Sequence, residues 1–240
     1  MLLSFDLSGA DWTTTAYCCR DPNMLEVARS KQSPHPITGS RMTGLTVEEV
    51  MVEHKLIGNK IDPVEIAELR REQLPGIVAK ANFLPRAMSI RQAAKKANHG
   101  LNYREGFKTF ALTNEMEERE AKQIVELYRK KAYPKLLDWY DEIDETIRKT
   151  RTLTNCLGRK VYFQGALNDE TFRAATSFIP QSTTFDVCGE AIERYTADDT
   201  PEFEPSRMVA QVHDSIIWDY RSDDLSAMAA FCQRIAFDYM

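Results

Sequence analysis

Two aspartates in this 240-residue chain stand at the tips of apolar runs. Asp6 closes LLSFD, and Asp214 separates RMVAQVH from SIIWDY. A carboxylate at a strand tip ordinarily does no more than form a turn. Two carboxylates brought together at neighbouring strand ends would repel and desolvate one another, and a divalent cation removes that penalty. Mg²⁺ takes one or two carboxylates, with waters and phosphate oxygens completing its shell. A pair of such ions, about 3.5–4 Å apart, can activate an attacking hydroxyl and stabilise a leaving oxygen.

A second constellation lies in RQAAKKANHGLNYREG, residues 91–106. On a helix, positions 91, 95 and 99 turn by only about 40° and rise roughly 6 Å at each step. Arg91, Lys95 and His99 therefore form one ladder, which Tyr103 continues. Its length suits a triphosphate with its sugar and base. Arg91 offers a fork to phosphate oxygens and Lys95 a point charge. His99 and Tyr103 present flat rings for stacking, and Gly100 leaves room where a base would approach. A solvated basic helix face would also carry cations at this spacing. The order, cations first and rings after, separates the two readings.

The elements that must position these residues can be read from caps and periodicity. Residues 2–7 read as a short strand. Pro22 to Gly44 reads as turn-rich around a helical run near 24–32. Thr46 and Glu49 have capping-box spacing for a helix toward Ile57, and Asp62-Pro63 opens another. Pro75-Gly76 breaks that helix; 77–101 is helical again, interrupted near Pro85. Asn114 and Glu117 are expected to cap a long helix divided at Pro134, with Ile124, Leu127, Tyr128 and Ile143 on its apolar stripe. After Lys149, residues 152–154 and 160–164 flank a glycine turn as a hairpin. Residues 170–195 are helical, and TADDTPEFEPS is a polar loop. The runs 207–213 and 215–220 form a tight hairpin, and 223–239 is the last helix. Helices around a few antiparallel strands make an α+β fold.

Composition limits the alternatives. Apolar content of 43% and charged content of 28% are those of an ordinary globular protein. No window approaches the apolar length of a membrane span, and the N-terminus has no secretory pattern. Five cysteines without a CxxC pair argue against a disulfide framework, and the reducing cytoplasm is the expected location. Cys18 and Cys19 are expected to serve as small buried hydrophobes. A net charge of −5 speaks against a generic nucleic-acid coat. The charge is segregated, however. Ile77–Arg104 carries six Lys or Arg and no acid, and Ile147–Asn168 five and no acid, while acids gather in Asn114–Glu120, Asp138–Glu145 and Asp198–Glu204.

Taken together, the motifs resemble those of the family A, polymerase I-like, DNA polymerases. FDLSGADW is similar to motif A, RQAAKKANHGLNYREG to motif B and VAQVHDSIIWD to motif C. LGRK and FRAATSFIPQSTTFDV match further family segments, in family order, from residue 2 to about 220. The sequence also resembles phage-encoded members. The resemblance implies an antiparallel palm sheet flanked by helices, with a helical fingers subdomain inserted. The palm is expected over 1–44 and 151–240 and the fingers over 45–150, with the motif B helix at about 89–103. It further implies that Asp6, Asp214 and the Leu7 carbonyl hold two Mg²⁺ ions. Arg91 and Lys95 would grip an incoming deoxynucleoside triphosphate, with Lys95 also serving as general acid. His99 and Tyr103 would frame the base pair, and Asp11 would face the sugar. Arg173, Gln181 and His213 would contact primer-template DNA. The motif B helix would belong to a mobile subdomain that closes over the nucleotide.

Several positions depart from the family pattern. His99 replaces a Phe or Tyr, Asp11 a glutamate, Arg104 a glycine and Ser215 the glutamate of motif C. Ser182 replaces the glycine after Gln181, and Ser177 an asparagine. No metal ligand is lost. The chain starts five residues before the motif A aspartate, so the thumb and exonuclease domains are expected to be absent. The alternatives are a non-catalytic DNA- or partner-binding remnant and one subunit of a split polymerase whose thumb sits on a separate polypeptide. A two-metal nuclease would need the carboxylates but not the cation ladder.

Overall fold

The structure, a computed structural model, describes residues 1–30, 32–197 and 206–236. The chain divides into two compact units. One comprises Met1–Thr14, Thr152–Tyr162 and Phe178–Met240, and the other Thr15–Arg151 and Phe163–Ser177.

The first unit is built on an antiparallel sheet of order β1-β5-β4, with β1 at Leu2–Asp6, β4 at Ser206–Val212 and β5 at Ser215–Tyr220. Leu3 pairs with Trp218, Phe5 with Ile216 and Asp6 with Ser215. The period-2 alternation of a strand puts Ile216, Trp218 and Tyr220 on the covered face. There they meet Cys188 and Ala191 of α11 (Asp169–Ala197) and Phe231 of α12 (Leu225–Arg234). Phe5 meets Trp218 edge to face at 5.2 Å. Each such side chain, fully buried, contributes roughly 1.5–3 kcal/mol, which holds the register that places Asp6. The hairpin of β2 (Thr152–Thr154) and β3 (Lys160–Tyr162) forms where the glycine turn predicts it. Asn155 Nδ2 and Arg159 Nε both donate to Asp186 of α11, at 2.7 and 2.9 Å, and tie the hairpin to that helix.

The second unit is helical. Its centre is α7 (Ile90–Gly100), followed by a 3₁₀ turn at Leu101–Tyr103. Ala93, Ala94, Ala97 and Asn98 are buried while Lys95 and His99 are exposed, so the helix has one covered face and one open one. Ser89 caps it by accepting from Gln92 N at 3.3 Å. Helix α3 (Pro34–Thr43) lies against α7 at close range. A side chain at Gly39 would strike Ile90, so glycine sets that approach. Helix α4 (Val47–Ile57) has the complete Thr46–Glu49 capping box, and α5 (Pro63–Gln73) starts on Asp62 with proline in its first turn. The buried carboxylate of Glu53 in α4 pairs with Arg70 of α5 and accepts from Ile90 N at 3.0 Å. Arg70 in turn donates to Met88 O at 2.9 Å. This hub pins the start of α7.

Some expectations fail for identifiable reasons. Helix α1 (Ala10–Cys19) was not anticipated, because its buried residues Trp12, Thr15, Ala16 and Cys19 have helical spacing but include polar and small types. The Pro22–Gly44 region is not mainly turns: it forms α2 (Pro22–Ser30) and α3, since Pro22 and Pro34 occupy tolerated first-turn positions. The interruption expected near Pro85 is present: α6 (Pro75–Lys80) ends before it, and an irregular link leads to α7. Asn114 does not cap the following helix. It ends α8 (Phe107–Thr113), donating to Phe110 O at 2.8 Å, and Glu117 precedes α9 (Glu118–Leu127). Pro134 does divide the helical run: a π turn at Tyr128–Ala132 comes before it and α10 (Lys135–Thr150) after it. The 198–205 part of the polar loop and the last residues of the expected 223–239 helix lie outside the described residues.

Candidate active site

The sheet joins the two aspartates. Because Asp6 pairs with Ser215, the Asp214 side chain lies beside it at the turn. Leu7 N donates to Asp214 O at 3.0 Å, and Ser215 Oγ donates to Asp6 Oδ1 at 2.8 Å, across 209 positions of chain. The Asp214 carboxyl is held above the usual carboxylate range, by burial first and then by Asp6 and Asp11, with the Asp6 carboxyl in hydrogen-bonding reach. The thiol of Cys188, beneath them, is pushed up to about 11 by burial and by the charges of Asp214 and Asp6. Neither Asp6 nor Asp214 forms an ion pair among the described residues.

These donors suit a hard divalent cation. Two facing carboxylates without a cationic partner among the described residues carry an uncompensated repulsion, and the nearby Leu7 carbonyl accepts from Ala10 N at 3.2 Å. No group of three or more His, Cys, Asp or Glu side chains makes a ready cage among the described residues. A site of this kind needs phosphates and waters to complete it, which is the habit of Mg²⁺.

A cleft of about 610 Å³ adjoins the pair, with Asp11, Phe178, Gln181, Phe185, His213 and Asp214 in its walls. His213 is exposed, with left-handed backbone at φ 55°, in the two-residue turn that also carries Asp214. Thr184 Oγ1 donates to Asp11 Oδ1 at 2.9 Å, fixing that shorter carboxylate on the wall. Sequence reasoning missed Thr184. Gln181 and His213 are thus brought together with Asp214 and Asp11. Arg173 is exposed on the first part of α11, which belongs to the helical unit, and it does not line this cleft.

Within the helical unit the ladder stands on α7 as its spacing predicts. Lys95 and His99 are exposed, and Arg91 is half-buried. Neither Arg91 nor Lys95 forms an ion pair among the described residues, so their charge is available to an anion. Tyr103 lies in the 3₁₀ turn beyond the end of α7, not on the α-helix itself. Arg104 adopts φ 62°, a conformation natural to the glycine it replaces. It is held there by a bidentate ion pair with Asp144 and by the Tyr140 and Phe172 rings, at 5.5 and 5.7 Å. The space beside Gly100 is not open for a base: the Glu105 carboxyl fills it, and a side chain there would collide with Glu105.

One further residue faces the ladder and was not foreseen. The His35 ring on α3 lies 5.8 Å from the His99 ring, tilted by 42°. Its imidazole is pushed down to about 4 by burial first, then by His99, Arg91 and Lys95. Nothing in the local sequence SPHPITG marks it, because only the packing of α3 on α7 brings it there.

The sequence profile of DNA polymerase family A matches residues 79–238, which is 160 of the 240 residues, and the chain belongs to DNA polymerase family A. The matched span contains the ladder and Asp214; the Asp6 segment lies before it. A solved structure, the POL domain of Pol1 from M. smegmatis in complex with DNA primer-template and dNTP, is similar over 100% of this chain. Its TM-score is 0.71 and its sequence identity 18%. The similarity covers 37% of that chain, and at such identity it bears on the fold alone. No helix among the described residues is long and apolar enough to cross a membrane.

Proposed function

We propose that this chain carries the palm and fingers portion of a template-directed DNA polymerase. It would transfer a nucleotidyl group from a deoxynucleoside triphosphate to a primer 3′-hydroxyl. The observation that carries the reading is the meeting of Asp6 and Asp214 across the β1–β5 pair. The sheet unit would correspond to a palm and the helical unit to fingers, although residues 15–44 and 163–177 of the helical unit fall within the expected palm bounds of 1–44 and 151–240. Asp6, Asp214 and the Leu7 carbonyl would hold two Mg²⁺ ions, which when bound neutralise phosphate charge and favour ionisation of the attacking hydroxyl.

The chain's own side chains supply the rest. The 3′-hydroxyl gives its proton to solvent water as its oxygen bonds the α-phosphorus, the bond from that phosphorus to the bridging oxygen breaks, and pyrophosphate leaves. Arg91 forks onto phosphate oxygens, and Lys95 neutralises the departing group and gives it a proton from Nζ. His99 and Tyr103 stack against the new base pair, Asp11 faces the sugar, and His213 and Gln181 line the path of the primer end. Arg173 contacts the new duplex. Grip on the duplex comes from the remaining parts of a whole polymerase, in the same or another polypeptide.

Primer extension tests this. Asp214→Asn should lower Mg²⁺-dependent extension by at least about 10²-fold, the scale on which removing one such electrostatic contact acts, with the circular dichroism spectrum unchanged. Undiminished extension would refute the metal assignment. Lys95→Ala should raise the KM for nucleotide about tenfold or more while DNA affinity holds, in line with loss of a charge-assisted phosphate contact. Equal losses in both would return the ladder to a solvated face. Shortening of the primer in place of growth would favour a nuclease.

A further inference from the structure

The 3₁₀ turn that carries Tyr103 is tethered from both ends. Tyr140 on α10 donates its hydroxyl to the Leu101 carbonyl, and Tyr128 OH donates to Asn102 Oδ1 at 2.7 Å. Beyond the turn, Arg104 N donates to Leu101 O at 3.2 Å and Glu105 N to Gly100 O at 3.3 Å. Arg129 Nη2 donates to Glu105 O at 2.9 Å. Between these tethers stands Arg104, in left-handed backbone at φ 62°. A residue with a Cβ keeps that conformation only where its surroundings over-determine it, and here they do. Arg104 Nη2 donates to Asp144 Oδ2 at 2.8 Å and Nη1 to the other carboxylate oxygen. The two side chains are only 28% and 15% exposed, so salt screens the pair less than it would a surface one. The guanidinium also lies over the Tyr140 and Phe172 rings, within the range of cation–π attraction. Tyr140 thus holds both a carbonyl of the turn and the cation that follows it.

We infer that Arg104 and Asp144 form a positioning pair that locks the Leu101–Tyr103 turn and holds the Tyr103 ring ready for a nascent base pair. The family pattern has a glycine at position 104, whose backbone would visit left- and right-handed conformations alike. With arginine bound to α10 instead, the ordering of Tyr103 occurs on folding and not when a nucleotide binds. Less binding energy is then consumed in immobilising the ring. An ion pair that served only the fold would stabilise the whole helical unit and leave the turn no more labile than its surroundings. The base-pair half of this inference rests on the polymerase reading; the lock does not.

Amide hydrogen exchange on the ligand-free chain reads the lock. The amides of positions 104 and 105 should be protected in the wild type. Asp144→Ala should speed their exchange at least about tenfold, the scale of a lost charge-assisted hydrogen bond, while the amides of α4 change less than about twofold. Arg104→Gly keeps the backbone conformation accessible and should give the same local loss. Equal acceleration in α4 and in the turn would show that the pair serves the whole fold, and would overturn the inference, as would unchanged exchange in either variant. In primer extension both variants should raise the nucleotide KM about fivefold with kcat held within about twofold, the scale on which one side chain is immobilised on binding. An unchanged KM would overturn the role at the base pair. A wild-type chain that protects the turn but extends no primer would overturn the base-pair half together with the polymerase reading, and leave the lock standing.

Discussion

Asp214 carries its negative charge against opposition, from burial and then from Asp6 and Asp11. The folded chain therefore holds a proton on this carboxyl more tightly than the unfolded chain does. The associated stability is present in acid and is lost as pH rises through the elevated folded value, so at pH 7 the metal-free protein bears the full penalty. Asp214→Asn should raise the melting temperature at pH 7 and change it little near pH 3. Millimolar Mg²⁺ should raise the melting temperature of the wild type and leave the variant unmoved, since only a cation-binding native state gains by mass action. Differential scanning calorimetry would read both. Ser215, which stands in place of the family's glutamate, helps by holding Asp6 through its hydroxyl. Cys19 is inert by the same logic of environment, its thiol pushed up to about 11 chiefly by burial.

At the scale of elements, α7 is useful because it is anchored before its first turn and sealed after its last. Glu53, Arg70 and Ser89 fix the start, and the Tyr140 hydroxyl bonds the Leu101 carbonyl at the end. Burial pushes the Glu53 carboxyl up while Arg70 pulls it down, so the charged pair persists only as a pair. Glu53→Ala leaves Arg70 buried without a partner and should cost about 3–5 kcal/mol, as broken buried ion pairs do, measured by urea unfolding. The helices with explicit start signals, α4 and α5, were legible in Thr46–Glu49 and Asp62-Pro63. The start of α9 was misread, because Asn114 serves the helix before it. Helices α1 and α3 were illegible for another reason: threonine, cysteine, glycine and proline carry poor helix propensity, and tertiary packing overrides it.

For the molecule as a whole, a formal net charge of −5 conceals cations gathered in acid-free runs of the chain. The acid-free run Ile77–Arg104 includes Arg91 and Lys95, which form no ion pair among the described residues, so attraction to the proposed nucleic acid and triphosphate would be local. The chain spans 37% of the solved relative, and the proposed activity should follow that proportion. Extension by this chain alone should be weak and non-processive. Supplying the rest of a family A polymerase domain as a second polypeptide should raise the product length, read on a denaturing gel. No gain on supplementation would favour a DNA-binding role without catalysis.

Which side chains could do chemistry, and in which order, was legible from the sequence, because i, i+4 spacing and strand-tip aspartates are local patterns with few structural outcomes. The strand pairing that faces Asp6 with Asp214, the capture of Asp11 by Thr184 and the approach of His35 to the ladder were decided by tertiary structure. Each joins residues on different elements, from 56 positions apart for Arg91 and His35 to 208 for the aspartates. Such contacts depend on how apolar faces bury against one another, and no short window of sequence contains that information.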